Sequence, residues 1–269
     1  PLGIPGEEAE GVIQGVEFLR RANLGEPLTV GKRLAVIGGG NVAIDVACTA
    51  RRLGSEVTIV YRRSREEMPA FAHEVEQATC EGVEIVFLAA PLKTVTGHDG
   101  KVTGLICQKM ELGEPDASGR RKPVPIEGAE FELPVDMVVP AIGQEAAQGP
   151  LAACGVKLSR WGTIEVNEVT YETSRPGVFA AGDVHTGPWI AIEAVGGGIE
   201  AAESIDRYLK GVDLKVGRVK GQEAQARWVD IPKDEEGRLR EVMPTLPPEH
   251  TCSCFDEITQ GYSEAQAQA

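Results

Sequence analysis

The sequence lacks any apolar run long enough to span a membrane. It is also poor in positive charge, because 27 Lys and Arg stand against 41 Asp and Glu and leave a net charge of −14. An acidic chain repels both nucleic acid and an anionic membrane surface. These absences predict a soluble globular protein with no nucleic-acid partner and no membrane insertion.

Paired cysteines are missing as well. None of the six cysteines belongs to a C-x-x-C motif, which excludes a redox disulfide of the thioredoxin-reductase type and a zinc ribbon. Cys252 and Cys254 form C-x-C, which could contribute to a metal or cluster site, but a pair of thiols in a flexible tail is favoured and no metal ligand is predicted. The four histidines are scattered and suggest no proton donor. Unpaired thiols fit a reducing cytoplasm, which is the expected location.

Residues 33–69 contain the strongest pattern in the chain. The pattern predicts a buried strand over 33–37, a glycine turn, a helix beginning at 41 with apolar residues on one face, and a β-branched strand over 56–61. Strand, glycine turn, helix and strand within about thirty residues are typical of the first βαβ unit of a dinucleotide-binding domain.

The glycines of this turn have distinct predicted roles. Gly38 allows the tight turn out of the strand, and Gly40 lets the backbone approach a pyrophosphate. Ala43 takes the position where a small residue lets helix and strand pack closely. The pyrophosphate would lie on free N–H groups at the positive end of the helix. The alternative is a structural turn without a ligand.

The end of the second strand indicates which dinucleotide binds. An NAD site usually has Asp or Glu about twenty residues after the glycines, whereas this chain has Arg62 and Arg63, followed by Arg65. Guanidinium groups suit a 2′-phosphate, which predicts NADP. The alternative is a solvated basic loop balanced by Glu66 and Glu67.

The elements that follow predict a parallel domain with an antiparallel insertion. The patterns predict an amphipathic segment over 8–23, a helix over 70–81 with a start near Met68, strands over 83–88, 91–97, 102–112 and 129–133, a polar excursion over 113–128, and a strand over 135–142 that returns to the parallel sheet. The chain is therefore predicted to be an α/β protein with a Rossmann-like domain and a β-meander insert.

The last part of the chain predicts a second ligand edge. Strands are expected over 161–166 and 178–184, followed by a helix from about 190 to 210 and an extended tail. The second strand ends in Gly182 and Asp183, where a carboxylate can accept a hydrogen bond from a sugar hydroxyl. An ordinary cap or turn role for Asp183 is the alternative.

Three stretches together resemble the glutamate synthase small-subunit family, whose members pass electrons from NAD(P)H through flavin. They are IGGGNVAIDVACTARRLGSEVTIVYRRSREEMPA, VDMVVPAIGQ and GVFAAGDVHTGPWIAIEAVGGGIEAAESI, and the tail segment FDEITQGYSEAQAQA is similar to a further family segment. The resemblance covers essentially the whole chain. It implies a flavoprotein with two dinucleotide-binding domains, in which the NADPH domain is inserted into the FAD domain and hydride passes from NADPH to FAD.

The resemblance also implies roles for individual residues. By motif, the NADPH pyrophosphate would bind the glycine turn, at Gly38, Gly39, Gly40, Asn41 and Val42, and the 2′-phosphate would bind Arg62 and Arg63. The nicotinamide would lie beside the end of the returning strand, at Gly143 and Gln144. FAD would bind the second edge, at Gly182, Asp183, Pro188, Ile190 and Ala191.

The chain departs from the family in ways that predict an incomplete flavin site. The first FAD fingerprint and the iron–sulfur cysteines are absent, and Pro1 falls where the family's chain leaves its first FAD half. The expected partners are therefore that FAD and iron–sulfur portion, or a subunit supplying it, and an electron-accepting subunit. The alternatives are an isolated NADP(H)-binding module without activity of its own and, as the weakest, a dehydrogenase acting directly on a small substrate.

Four segments are predicted from these patterns. They are a linker segment over 1–26, the NAD(P)-binding domain over 27–145, the C-terminal half of an FAD-binding domain over 146–212 and an extended tail over 213–269.

Overall fold

The computed structural model describes residues 1–115, 119–144, 153–218 and 241–268. The chain divides into two compact units, one of Pro1–Ile142 with Arg238–Ala269 and the other of Gly143–Gly237. The elements in chain order are α1 (Gly15–Leu24), β1 (Arg33–Ile37), α2 (Asn41–Arg52), β2 (Glu56–Tyr61), α3 (Ala72–Cys80), β3 (Glu84–Phe87), β4 (Ala89–Thr96), β5 (Val102–Pro115), β6 (Arg121–Leu133), β7 (Met137–Pro140), α4 (Asp183–Thr186), α5 (Ala191–Leu209), α6 (Pro248–Thr251) and α7 (Glu264–Gln268).

A parallel sheet in the order β3-β2-β1-β7 forms the centre of the first unit. Its strands are continuous apolar runs because both faces of the sheet are covered. Leu34 and Val36 of β1 pack with the three helices α1, α2 and α3, while Ala35 and Ile37 pack against the inserted meander. The predicted βαβ unit and the return of β7 to the parallel sheet are thus confirmed.

The inserted meander is a three-stranded antiparallel sheet in the order β4-β5-β6. The predicted polar excursion over 113–128 is wrong in extent, because β5 continues to Pro115 and β6 begins at Arg121. Proline cannot donate to a sheet, but β6 is an edge strand and tolerates Pro123 and Pro125 there. The pairing of β5 with β6 shifts register twice, between Gln108 and Met110 and between Leu112 and Pro115.

Two helices begin later than the segments predicted for them. The first begins at Gly15, inside the amphipathic segment predicted over 8–23. The third begins at Ala72, because Arg65–Glu67 forms a separate 3₁₀ turn. The backbone N–H of Ser64 donates to Glu67 Oε2 at 3.3 Å, so the S-x-x-E motif caps this short turn and not the helix.

A buried ion pair joins the C-terminal ends of α2 and α3. The guanidinium of Arg52 donates to both carboxylate oxygens of Glu81, from Nη2 at 2.8 Å and from Nε at 3.1 Å, and the Glu81 side chain is 0% exposed. Gln77 Nε2 donates to the same carboxylate at 2.9 Å. Burial disfavours the charged form of Glu81, but the hydrogen bonds from Arg52 and Gln77 outweigh burial and hold its pKa below the ordinary value.

The segment 241–268 belongs to the first unit and contacts the same region. Thr251, in α6, is buried, and its Oγ1 accepts a hydrogen bond from Gln77 Nε2 at 3.3 Å. The N-terminal segment is integrated as well, since Phe18 of α1 is fully buried in the core.

The second unit contains α4, α5 and short paired segments. The strands predicted over 161–166 and 178–184 are not continuous. Within the described residues 153–218 they form only single bridges, Leu158↔Ile164, Val166↔Thr173 and Glu172↔Phe179. An alternating apolar pattern favours extended backbone. A continuous strand also needs a neighbouring strand that pairs with it over several residues, and here each bridge joins a single pair of residues. The helix predicted over 190–210 is confirmed as α5. Among the described residues, no helix combines the length and the apolar character needed to cross a bilayer.

Candidate functional site

The glycine turn leaves β1 at the carboxyl edge of the parallel sheet. Gly38 has a φ of 146°, and a Cβ there would overlap the carbonyl oxygen of Ala141, which follows β7. A Cβ on Gly39 would lie 2.5 Å from the ring of Tyr61, whose hydroxyl donates to the carbonyl of Glu67 at 2.7 Å. Both glycines are therefore required by the packing of the sheet edge.

Gly40 differs from its two neighbours. It is the N-cap of α2 with φ −90° and ψ 176°, a conformation open to any residue, and a Cβ there would meet no atom within 4 Å. Packing within the protein therefore does not explain this glycine. Ala43, fully buried, lets α2 pack closely on the strand.

The N-terminus of α2 is suited to an anion. Its first turn carries no acidic residue, and the first N–H groups of a helix lack intrahelical acceptors. The side chain of Asn41 is occupied, since its Oδ1 accepts from the N–H of Phe71 at 3.1 Å. This contact leaves the backbone of Asn41 and of the exposed Val42 to face a ligand.

The two arginines after β2 have different environments. Arg62 is exposed, whereas Arg63 is 5% exposed and its Nε donates to the carbonyl of Arg121 at 2.8 Å. Arg62 is thus the member of the pair that reaches solvent at the strand end.

The acidic residues of this loop have partners of their own. Glu67 accepts from Ser64 and, at 2.7 Å, from Arg121, and these hydrogen bonds lower its pKa. Glu66 accepts from Ser64, which lowers the pKa of that carboxyl as well. Arg65 lies 3.6 Å from Glu76. One of the two interpretations of the sequence had Glu66 and Glu67 balance the charge of Arg62 and Arg63. The structure instead shows these two carboxylates bonded to Ser64 and Arg121.

Gly143 and Gln144 follow β7 along the chain and are exposed, with Gly143 at a φ of 131°. They begin the second unit, which also contains the other predicted flavin residues. The structure thus gathers the glycine turn and the arginine loop at one sheet edge of the first unit.

Within the second unit, Gly182 has a φ of 69°, and its carbonyl accepts from the N–H groups of His185 and Thr186 at 2.9 and 3.0 Å. Asp183, which follows it, is exposed. The positive φ and the nearby Ala194, 3.4 Å from a Cβ at this position, explain the glycine.

The start of α5 is also accessible. Pro188, Ile190 and Ala191 are exposed, and Ile190 is the N-cap of the helix. Further along α5 the apolar residues Ile192, Val195 and Ile199 are exposed too. The second unit therefore presents its predicted flavin residues and an apolar helix face to the outside.

Sequence patterns missed the contacts that support this site. The Asn41–Phe71 hydrogen bond, the Arg63–Arg121 contact and the Glu67–Arg121 pair join residues 30, 58 and 54 positions apart. The last two involve Arg121, which lay in the predicted polar excursion over 113–128, so no predicted strand suggested them.

Comparison with known proteins agrees with this geometry. Residues 1–198 match the family described as pyridine nucleotide-disulphide oxidoreductase. The chain is 51% identical over 213 residues to the NADP(+)-dependent formate dehydrogenase subunit beta of Moorella thermoacetica, with 78% of this chain and 30% of that protein covered. It is 38% identical over 221 residues to the glutamate synthase [NADPH] small chain of Azospirillum brasilense, with 77% and 45% covered.

Among solved structures, the thioredoxin reductase of T. acidophilum superposes with a TM-score of 0.59 at 25% identity, covering 79% of this chain and 62% of that one. The predicted fold, two-dinucleotide-binding flavoprotein with a parallel sheet, is confirmed.

These findings confirm the resemblance to the glutamate synthase small-subunit family and, at the level of the family, the predicted cofactor classes NADP(H) and FAD. The chain spans less than half the length of the two relatives named. The chain belongs to the pyridine nucleotide-disulphide oxidoreductase family.

Proposed function

We propose that this chain is the NADPH-oxidising part of a flavin-dependent oxidoreductase of the glutamate synthase small-subunit type. NADPH would give hydride to FAD, and electrons would pass onward to an iron–sulfur centre or a partner subunit. The observation that carries the proposal is Gly40, a helix N-cap with open space at its Cβ position and a helix N-terminus free of acidic residues behind it.

The residues of the first unit fit NADP(H). Backbone N–H groups of Gly40, Asn41 and Val42 would hold the pyrophosphate, since the packing around Gly38 and Gly39 fixes the turn that aims them. Arg62 would contact the 2′-phosphate, and Arg63, tied to the carbonyl of Arg121, would shape the loop. A guanidinium at this position can donate hydrogen bonds to a phosphate. It cannot accept the hydrogen bond that a ribose 2′-hydroxyl would donate to an acidic residue.

The residues of the second unit fit part of an FAD site. Asp183 would accept hydrogen bonds from the ribityl and phosphate region, and the chain from Pro188 to Ala191 would approach the flavin ring. FAD supplies the acceptor atom for the hydride, and the task of this chain is to position both cofactors and to exclude water between them. Gly143 and Gln144 would border the nicotinamide.

The exposed apolar face of α5 supports a role for further protein at this site. Exposed apolar residues in a row along a helix mark a surface that another element covers. We infer that the other half of the FAD domain, in the same polypeptide or in a partner subunit, covers it. The match covers only 30% and 45% of the two relatives, which is consistent with this.

Replacing Arg62 with Gln should weaken NADPH binding about 10- to 100-fold and leave NADH binding nearly unchanged. Hydrogen bonds to a charged group contribute about 1.5–3 kcal/mol, and NADH lacks the 2′-phosphate. Arg65→Gln removes the same charge three residues away, where the side chain faces Glu76, and serves as the control. Titration of each variant with both cofactors measures the effect, and equal losses for NADPH and NADH would overturn the assignment.

The proposed reductase activity is tested by recording the absorption spectrum of the purified chain before and after NADPH is added. Bound flavin that bleaches on addition of NADPH supports the full proposal. NADPH binding by a chain without flavin, with flavin acquired only after the missing FAD half is supplied, supports the division of the site between segments. NADPH binding with no flavin under either condition favours the isolated binding module.

A further inference from the structure

The C-terminal segment 244–260 forms a closed loop whose base is fixed on both sides. Thr245 bridges to Thr259, the N–H of Leu246 donates to the carbonyl of Ile258 at 2.9 Å, and the N–H of Gln260 donates to Pro244 at 2.9 Å. At its far end the loop carries α6 and the sequence His-Thr-Cys-Ser-Cys-Phe-Asp, residues 250–256. The nucleotide site does not use any of these residues.

Three ligand-type side chains converge in this loop. One ligand atom from each of His250, Cys254 and Asp256 lies within 4.8 Å of the other two. His250 Nε2 is 2.9 Å from Asp256 Oδ2, and the Cys254 thiol donates a hydrogen bond to the Asp256 carboxylate. An imidazole and a carboxylate on a surface commonly form a simple ion pair. Such a pair does not require a thiol, so it does not explain why Cys254 lies beside both groups.

The loop is also held in place from below. Thr251, one residue after His250, is buried and accepts a hydrogen bond from Gln77 of α3. The N–H groups of Thr251 and Cys252 donate to Pro247 and Pro248 at 3.2 and 3.0 Å, which completes the turn of α6. The backbone that carries the three side chains is therefore fixed before any ligand binds, which lowers the entropy cost of binding.

We propose that His250, Cys254 and Asp256 bind a divalent transition metal ion of the zinc class. Imidazole, thiolate and carboxylate are the donors that Zn²⁺ takes, and a thiolate disfavours Mg²⁺ and Ca²⁺. In a tetrahedral site the ligand atoms lie about 3.4–3.6 Å apart, so the His250–Asp256 contact opens slightly while Cys254 moves closer by side-chain rotation. Water, or Glu257, which lines an adjoining depression of about 410 Å³ with His250 and Asp256, supplies the fourth ligand.

Cys252 provides a matched control within the same loop. It stands two residues before Cys254, but its Sγ faces the carbonyl of Glu249 at 3.5 Å and is not among the converging ligand atoms. Replacing either cysteine with serine removes one thiol and changes no charge. The side chains of His250 and Asp256 are 53% and 65% exposed, so variants at these positions retain the fold.

The test is a titration of the metal-free 269-residue chain with Co²⁺, followed by competition with Zn²⁺. The chain and Cys252→Ser should both bind one equivalent, show a thiolate-to-cobalt charge-transfer band that Zn²⁺ abolishes, and gain thermal stability with Zn²⁺. Cys254→Ser should lose the charge-transfer band. Both Cys254→Ser and His250→Ala should bind the metal ion at least about tenfold more weakly. In the presence of chelator, both variants should have the same melting temperature as the parent chain. A band that survives Cys254→Ser, a Cys252→Ser variant that behaves like Cys254→Ser, or no band at all would overturn the proposal.

Discussion

Replacing Gly40 with alanine should abolish measurable binding of both NADPH and NADH while the protein keeps its stability. A Cβ at this position meets no protein atom within 4 Å, and its backbone conformation suits alanine. The methyl group would occupy the space through which the pyrophosphate reaches the helix N-terminus. Loss of two charge-assisted hydrogen bonds at about 1.5–3 kcal/mol each weakens binding at least about 100-fold.

The matched variant is Gly38→Ala, for which we expect the main effect on stability and not on cofactor binding. Its Cβ would overlap the carbonyl oxygen of Ala141, and a φ of 146° strains any residue other than glycine. We expect a loss of about 2–4 kcal/mol in the free energy of unfolding, visible as a lower melting temperature without any cofactor. Calorimetric titration and thermal unfolding of both variants separate the roles, and a Gly40→Ala protein that binds NADPH normally would contradict the proposed pyrophosphate position.

Replacing Arg52 with methionine should lower the free energy of unfolding by about 3–5 kcal/mol. The variant keeps the length of the side chain but leaves Glu81, whose side chain is 0% exposed, as a buried carboxylate without its bidentate partner. Urea unfolding at neutral pH measures the loss. Arg20→Met is the control, because the Arg20–Glu17 pair is exposed, and it should change stability little.

This effect should depend on pH in a defined direction. The pKa of Glu81 is lowered in the folded protein, so its stabilising contribution is complete above the unfolded pKa, near 4.5, and is lost as the pH falls through the folded pKa. The difference between the parent chain and Arg52→Met should therefore be greatest at neutral pH and shrink in acid. A difference that grows below pH 4.5 would show that the side chains pack without an ionic contribution.

Local sequence was sufficient where the structure depends on neighbours in the chain. The unbroken apolar runs of β1 and β7 and the glycine turn before α2 predicted the parallel unit, because burial on both faces and a tight turn each require particular residue types. The long helix α5 was also predicted from local sequence. The functional role of each site residue stays a prediction.

Patterns failed where a partner distant in sequence decides the outcome. The segments 161–166 and 178–184 have strand-like alternation, yet among the described residues each forms only isolated bridges. The proline-rich stretch before residue 128 looked like a loop, but it pairs with β5 as an edge strand. In both cases the partner strand, which local sequence does not contain, determined the result.

The sequence by itself determined the βαβ unit, because that depends on a glycine spacing and on apolar periodicity. It indicated the family and the cofactor classes through the resemblance of three stretches to the glutamate synthase small-subunit family. Only the tertiary structure separated Arg62 from Arg63 by burial, tied Asn41 to Phe71, and brought Cys254 together with His250 and Asp256 but not Cys252. These distinctions depend on which side of the backbone each side chain occupies and on what packs against it. Two adjacent arginines, or two cysteines two positions apart, carry the same chemistry in the sequence, and the fold alone gives them different surroundings.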